Sequence, residues 1–183
     1  MKIDYLDAVS DVLTSVLNAL QFKGKVFCYS KFSAPWAIKL KCKDFAHFHF
    51  FEHGDGWVEV EETGEEVAVT SGDLVILPHG SAHVLRDDRT TNAVDVEQLL
   101  DPRDSHILRH GGGGSETSTV CGAFAFENEI GNPILPLLPE LIHVPSERIQ
   151  SGSWLESTLR LLAYEAQYPR EGSGSIIGHV TGI

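Results

Sequence analysis

The sequence predicts a single, mainly β domain with a helix before it and a helical segment after it, on three observations. From Lys25 to Phe126, short apolar segments alternate with polar residues and are broken by turn residues, as in strands with one buried face. Ahead of them, Leu6, Val9, Leu13, Val16, Leu17 and Leu20 recur at helical spacing. Beyond Glu127 the pattern turns helical again. A chain of 183 residues can bury one core with a few flanking helices, and two full domains would be cramped. The expected divisions are therefore 1–22 for the N-terminal helix, 23–128 for the β region, 129–170 for the helical segment and 171–183 for a tail.

The first helix spans Tyr5 to Leu20, with Asp4 as N-cap and Asp7 three places on, and Gly24 ends it. Strands are expected at Lys25–Phe32 and Trp36–Cys42. In the second, Trp36, Ile38, Leu40 and Cys42 alternate with Ala37, Lys39 and Lys41, which places the first set in a core and the second in water. Pro35 opens that strand where no ladder donor is needed. His47, His49 and His53 then fall at even spacing, on one face of an extended strand. A hairpin follows, with arms Trp57–Glu61 and Glu65–Thr70 around Thr63-Gly64. The unbroken apolar run Leu74–Leu77 suits a strand covered on both faces, and His83-Val84-Leu85 continues beyond the Pro78-Gly80 turn.

Arg86 to Arg103 reads as a polar connection around a strand at Ala93–Leu99, and Gly111–Gly114 as a flexible turn. Thr119–Phe126 resumes as a strand, with Phe124 and Phe126 on one face and Ala123 and Ala125 on the other. Pro133, Pro136 and Pro139 break Ile134–Leu141 into short helical turns that Val144-Pro145 closes. Ser153-Trp154-Leu155-Glu156 is a capping-box pattern that opens a helix with Leu155, Leu159, Leu162 and Ala166 on one face, and Pro169 stops it.

Composition removes several classes of function. A net charge of −12 repels phosphate backbones, so this chain by itself is not expected to bind nucleic acid. Cys28, Cys42 and Cys121 are odd in number and set in apolar surroundings, which suits small core residues better than a disulfide framework. No apolar stretch of signal or membrane-spanning length is present, which points to a cytoplasmic protein without a membrane partner. The glycine run lacks the Gly-Lys-Ser/Thr of a phosphate cradle, and no Ser-His-Asp order or Cys-His pair supports nucleophilic catalysis. Glu59, Glu61, Glu62, Glu65 and Glu66 read as a solvated hairpin face rather than paired catalytic carboxylates.

Two motifs carry a resemblance to the cupin superfamily. His47-x-His49, followed after three residues by His53, resembles the first cupin motif, with histidine where an acidic ligand is usual and Glu52 one place out of phase. Gly72, Pro78, Gly80 and His83 match the second motif at every spacing, with Asp87 where asparagine often closes it. The resemblance implies a double-stranded β-helix barrel whose two motif strands meet inside. His47, His49, His53 and His83 would then converge as ligands of a divalent transition metal (zinc, nickel or iron), and imidazole nitrogen suits all of these. Trp36, Phe51, His49 and His83 are the expected ligand pocket. The other histidines are assigned no role in the site: His79 faces solvent in its turn, His106 and His110 flank a loop, and His143 is a core or cap residue.

The order of barrel then helices resembles more closely the N-terminal sensor domain of AraC-type transcription regulators. The residues that carry this are Ser33-Ala34-Pro35-Trp36, Gly72 to Gly80, the glycine run before Val120-Cys121-Gly122, Ile142-His143-Val144-Pro145, and Trp154-Leu155 with Thr158 to Leu162. The likeness runs from about Leu6 to Ser173 and implies a small-molecule sensor, and no catalytic residues are assigned. The apolar stripes of the helices Tyr5–Leu20 and Trp154–Ala166 are more than a small barrel can cover, so a homodimer paired through those stripes is expected, and the likeness points the same way. Such regulators continue into a module with two helix-turn-helix units, which is not expected within these residues. A stand-alone metal-dependent cupin enzyme, a dioxygenase or isomerase of small organic substrates, is the alternative, and a bare assembly module a third.

Overall fold

The computed structural model describes residues 22–41, 45–100, 107–126, 135–149 and 154–168. The expected N-terminal helix, the Ser153 cap, the Pro169 stop, Cys42, His106 and the tail lie outside them. The strands are β1 (Phe22–Ser33), β2 (Ala37–Leu40), β3 (Ala46–His53), β4 (Gly56–Val60), β5 (Glu66–Val69), β6 (Leu74–Leu77), β7 (His83–Arg86), β8 (Val94–Asp95), β9 (Ile107–Gly111), β10 (Glu116–Phe126) and β11 (Ile142–Val144). They form a six-stranded sheet in the order β11-β6-β3-β10-β1-β9 and a five-stranded sheet in the order β5-β4-β7-β2-β8. The helix α1 (Trp154–Gln167) follows. Among the described residues no helix is long and apolar enough to cross a membrane.

Alternation along each strand sorts the side chains into two cores. Phe32, Trp36, Ile38, Phe51, Val58 and Leu85 belong to an interior cluster that draws on both sheets. Tyr29, Phe48, Phe50 and Val120, of opposite phase on the six-stranded sheet, pack with Leu159, Leu162, Ala163 and Ala166 of α1. β3 and β6 sit between these cores, which is why their sequences show apolar residues in both phases. Full burial of each leucine or phenylalanine side chain contributes on the order of 1.5–3 kcal/mol. The α1 stripe is therefore a substantial part of what holds the helix to the sheet.

Four local expectations change. Ala93–Leu99 forms strand only at Val94–Asp95, which pairs with Ile38 and Lys39 of the short β2, and Val96–Gln98 coils into a 3-10 turn. Ile142–Val144 does not close the proline-rich turns but adds β11 to the edge beside β6, where Ile142 pairs with Ile76. Ala37 is buried rather than solvated. The glycine run is not a spacer. Gly111 has φ +133°, and a Cβ there would lie 1.8 Å from the Ser33 carbonyl oxygen, so only glycine lets these backbones meet. Gly112 and Gly114 then donate their N–H groups to Ser33 and Ala34 carbonyls at 2.9 and 2.8 Å.

Candidate functional site

β3 carries His47 and His49 on its inward phase, the phase of Phe51 in the interior cluster. Gly80, at φ +65°, donates its N–H to the Leu77 carbonyl at 3.2 Å and turns the chain from β6 into β7, which opens with His83. β7 belongs to the other sheet, so the two motifs meet across the interior. His47, His49 and His83 are 4%, 1% and 0% exposed, and one nitrogen from each lies within 4.8 Å of the others. The His49 and His83 ring centroids are 4.9 Å apart, with that of His47 5.3 Å from His83.

A chain of hydrogen bonds fixes two of the rings. The His83 Nδ1–H donates to the Ser81 carbonyl at 2.7 Å, which leaves His83 Nε2 as an acceptor. His49 Nε2 lies 2.7 Å from it and is therefore the donor. His49 Nδ1 then accepts from the Cys121 thiol at 3.0 Å. The directions agree with the electrostatics, because burial pushes the Cys121 thiol up to about 12 and keeps it protonated. Burial also lowers all three histidines, His83 to about 4, with His49 pushed down further by the neighbouring imidazoles. His47 Nδ1 is different, being buried without a hydrogen-bond partner. Three neutral imidazoles, two held by groups behind them and one with an orphaned nitrogen, form a donor set that fits a borderline metal ion.

His53 is not brought to this group. The register between β3 and β10 shifts between Ser118 and Thr119, where Phe51 pairs with Thr119 and His53 with Ser118. Glu52 is the extra residue of a bulge, and it breaks the even-spaced series one step after Phe51. His53 ends exposed, in a cleft with Lys31 and Arg109, while the Glu52 carboxylate accepts a short hydrogen bond from the Tyr29 hydroxyl. Trp36 and Phe51, expected in the ligand pocket, lie in the interior cluster at 1% and 0% exposure. Trp36 stacks on Phe32 at 4.5 Å, and its indole N–H is buried with no acceptor. Asp87, at the end of the second motif, accepts from the Trp36 backbone N–H at 3.1 Å and the Thr91 hydroxyl at 2.8 Å.

Further residues were not legible as parts of the site or its supports. Cys121 reaches His49 because β10 sets those two residues opposite each other, a register that spacing within one segment does not reveal. Cys28 is its partner on the other side, and both thiols are free. His79 is half-buried, not solvated, with Nε2 2.9 Å from the Leu138 carbonyl. His143 contacts Asp73 at 2.9 Å, and Asp73 also accepts from the Ser146 N–H at 2.8 Å, which ties β11 to the second motif. Burial alone would raise the Asp73 carboxyl, but these hydrogen bonds outweigh it and lower it.

The cupin family model Cupin_6 matches residues 11–182, and the chain belongs to that family. Among curated proteins it is 24% identical over 178 residues to the HTH-type transcriptional regulator AlkR of Acinetobacter baylyi, covering 94% of this chain and 58% of AlkR. It is 20% identical to the HTH-type transcriptional regulator MtrA of Neisseria gonorrhoeae (94% and 56%), and 25% identical to a Streptomyces lividans protein named as AraC-like (75% and 45%). It is thus a cupin domain of the kind found in AraC-type transcription regulators, and it spans about half the length of the curated relatives it matches. Among solved structures, YhaK of Escherichia coli is 8% identical with a TM-score of 0.45, covering 68% of this chain and 43% of YhaK. Unsaturated fatty acid bound ToxT of Vibrio cholerae is 12% identical with a TM-score of 0.44, covering 87% and 56%.

Proposed function

We propose that this domain senses a small molecule on behalf of an AraC-type regulator and that His47, His49 and His83 hold a divalent transition metal inside it. The observation that carries the metal reading is the convergence of three buried, neutral imidazoles with His47 Nδ1 left orphaned. Zinc, nickel and iron all accept such a set. A bound metal supplies a Lewis-acid point for an oxygen or nitrogen donor of the sensed molecule. The chain's own residues do the rest. Cys121 and the Ser81 carbonyl orient His49 and His83, and Trp36 offers a buried N–H to an acceptor on a ligand. His49 would hold a metal through Nε2 only as the Nδ1–H tautomer, in which its Nδ1–H would donate to the Cys121 sulfur.

The reading is tested by titrating zinc into chelator-treated, tag-free protein in a calorimeter. One site per chain is expected, lost in His49→Ala and kept in His53→Ala. A wild type that takes up no metal, or a variant series in which His53 matters as much as His49, contradicts it.

Pairing of two copies is the second part of this reading, with a different helix face from the one the sequence indicated. Leu159 and Leu162 pack on their own sheet, while Trp154, Leu161 and Tyr168 recur every seven residues and are 75%, 41% and 54% exposed. That spacing lines one side of α1 as an association seam. Leu161→Glu is expected to turn a dimer into a folded monomer by light scattering, and a wild type that is monomeric at high concentration contradicts the seam. The acidic chain, with 26 acidic against 14 basic residues, leaves DNA contact to a separate module.

A further inference from the structure

A second, chemically opposite site lies at the far end of the same sheet. Arg109, Lys31, Ser118 and His53 occupy successive register positions on β9, β1, β10 and β3, so they form one row across four strands. Neighbouring strands are about 4.8 Å apart, so this row crosses roughly 14 Å. It lies in a cleft of about 450 Å³, whose walls also include Tyr29, Phe32 and His110. That volume falls in the range of small-ligand sites.

The charges in the row call for a counter-ion. Arg109 and Lys31 are direct register partners on adjacent strands, and two cations set so close repel each other. Among the described residues no carboxylate lies within ion-pair distance of either, and Lys31 Nζ instead stands 5.7 Å from the Tyr29 ring. Among the described residues, Glu116 is the one carboxylate lining the cleft. Glu52, near the other end of the row, is taken up by the Tyr29 hydroxyl and, at 3.5 Å, the Ser118 hydroxyl. A chain of net charge −12 thus concentrates two permanent cations, two imidazoles and several hydroxyls in one concavity. The guanidinium fork of Arg109 suits a carboxylate or phosphate, and Lys31 supplies a point charge beside it.

We infer that this cleft binds a small organic dianion, a dicarboxylate or a phosphate monoester, between Arg109 and Lys31, separately from the histidine triad. The shared chemistry is a double negative charge matched to two fixed cations. The Tyr29 ring, 5.7 Å from Lys31 Nζ, bounds the organic part. His53 and His110 serve as flanking donors.

The test is a backbone NMR titration of the whole chain with succinate, glycerol 3-phosphate and, as a monoanion control, acetate. Saturable shifts at Lys31, Arg109 and Ser118 are expected with at least one dianion, and which of the two binds more tightly assigns the source. Acetate is expected to bind at least about tenfold more weakly, and added salt to weaken every complex. Lys31→Met with Arg109→Gln is expected to weaken the dianion at least about tenfold, and Arg109→Lys to retain part of it. Both changes sit at the surface, so unchanged far-ultraviolet circular dichroism keeps the comparison valid. In a double variant that loses its fold, the same shifts followed in Arg109→Gln alone decide the matter. Shifts that are linear to high concentration, equal for acetate and succinate, or unchanged in the variants overturn the inference.

Discussion

β3 ends in two environments that differ more than their distance in sequence suggests. His49 is 1% exposed and its imidazole is held neutral by burial, whereas His53, four residues on, is exposed beside Lys31 and Arg109. One extra residue in the strand separates them. The Glu52 bulge ends the inward phase, so the strand delivers one histidine to a dry, neutral, metal-fitting interior and the next to a wet, cationic cleft. Even spacing predicts a shared face only while the ladder keeps its register.

The largest expected effect tests the two histidines directly. His49→Ala leaves His83 Nε2 unpartnered beside a small cavity, with the Cys121 thiol keeping only its contact with the Thr119 hydroxyl, and is expected to cost about 2–4 kcal/mol in urea unfolding. His53→Ala is expected to stay within about 0.5 kcal/mol, as for other exposed positions. Equal costs would put both residues in one environment.

A pH profile sharpens the same contrast. In chelator-treated protein the interior histidines have depressed folded values, so the unfolded chain takes up protons first as the pH drops. Their stabilisation is complete above about 6.5 and is lost as the pH falls towards about 4, the value for His83. A shift of that size is worth at most roughly 3 kcal/mol. Unfolding midpoints that are flat between pH 7 and 4 would mean that these imidazoles take up protons in the fold as readily as in the unfolded chain.

Smaller effects map the bulge and the surface. The Tyr29 phenol is raised to about 12 by burial and then by its hydrogen bond to Glu52. Glu52→Gln is expected to bring its ultraviolet titration part of the way back towards 10, and no movement would place Glu52 elsewhere. Smallest of all, Arg160→Ala removes the i,i+4 pair with Glu156 and is expected to cost about 0.3–0.5 kcal/mol by thermal unfolding.

The barrel strands and both motifs were legible because their signals are local. Alternation marks a half-buried strand, the Gly72-to-His83 spacing marks a turn that returns a histidine, and the stripe of Leu159, Leu162 and Ala166 marks the buried side of α1. The misses share a physical cause, which is that they depend on partners distant in sequence. Ile142–Val144 becomes a strand only because β6 has an open edge to pair with. Gly111 to Gly114 look like a flexible turn until Ser33 and Ala34 press against them. His53 leaves the histidine group through a bulge whose other half lies in β10, and Cys121 joins it through the same pairing.

The central claim is that three histidines, and not the fourth, share one interior site. X-ray absorption at the edge of zinc bound to the tag-free protein counts them directly. A first shell with three imidazoles is expected, reduced by one in His47→Ala and unchanged in His53→Ala. A shell of one imidazole or fewer, or one that loses an imidazole in His53→Ala, would contradict it.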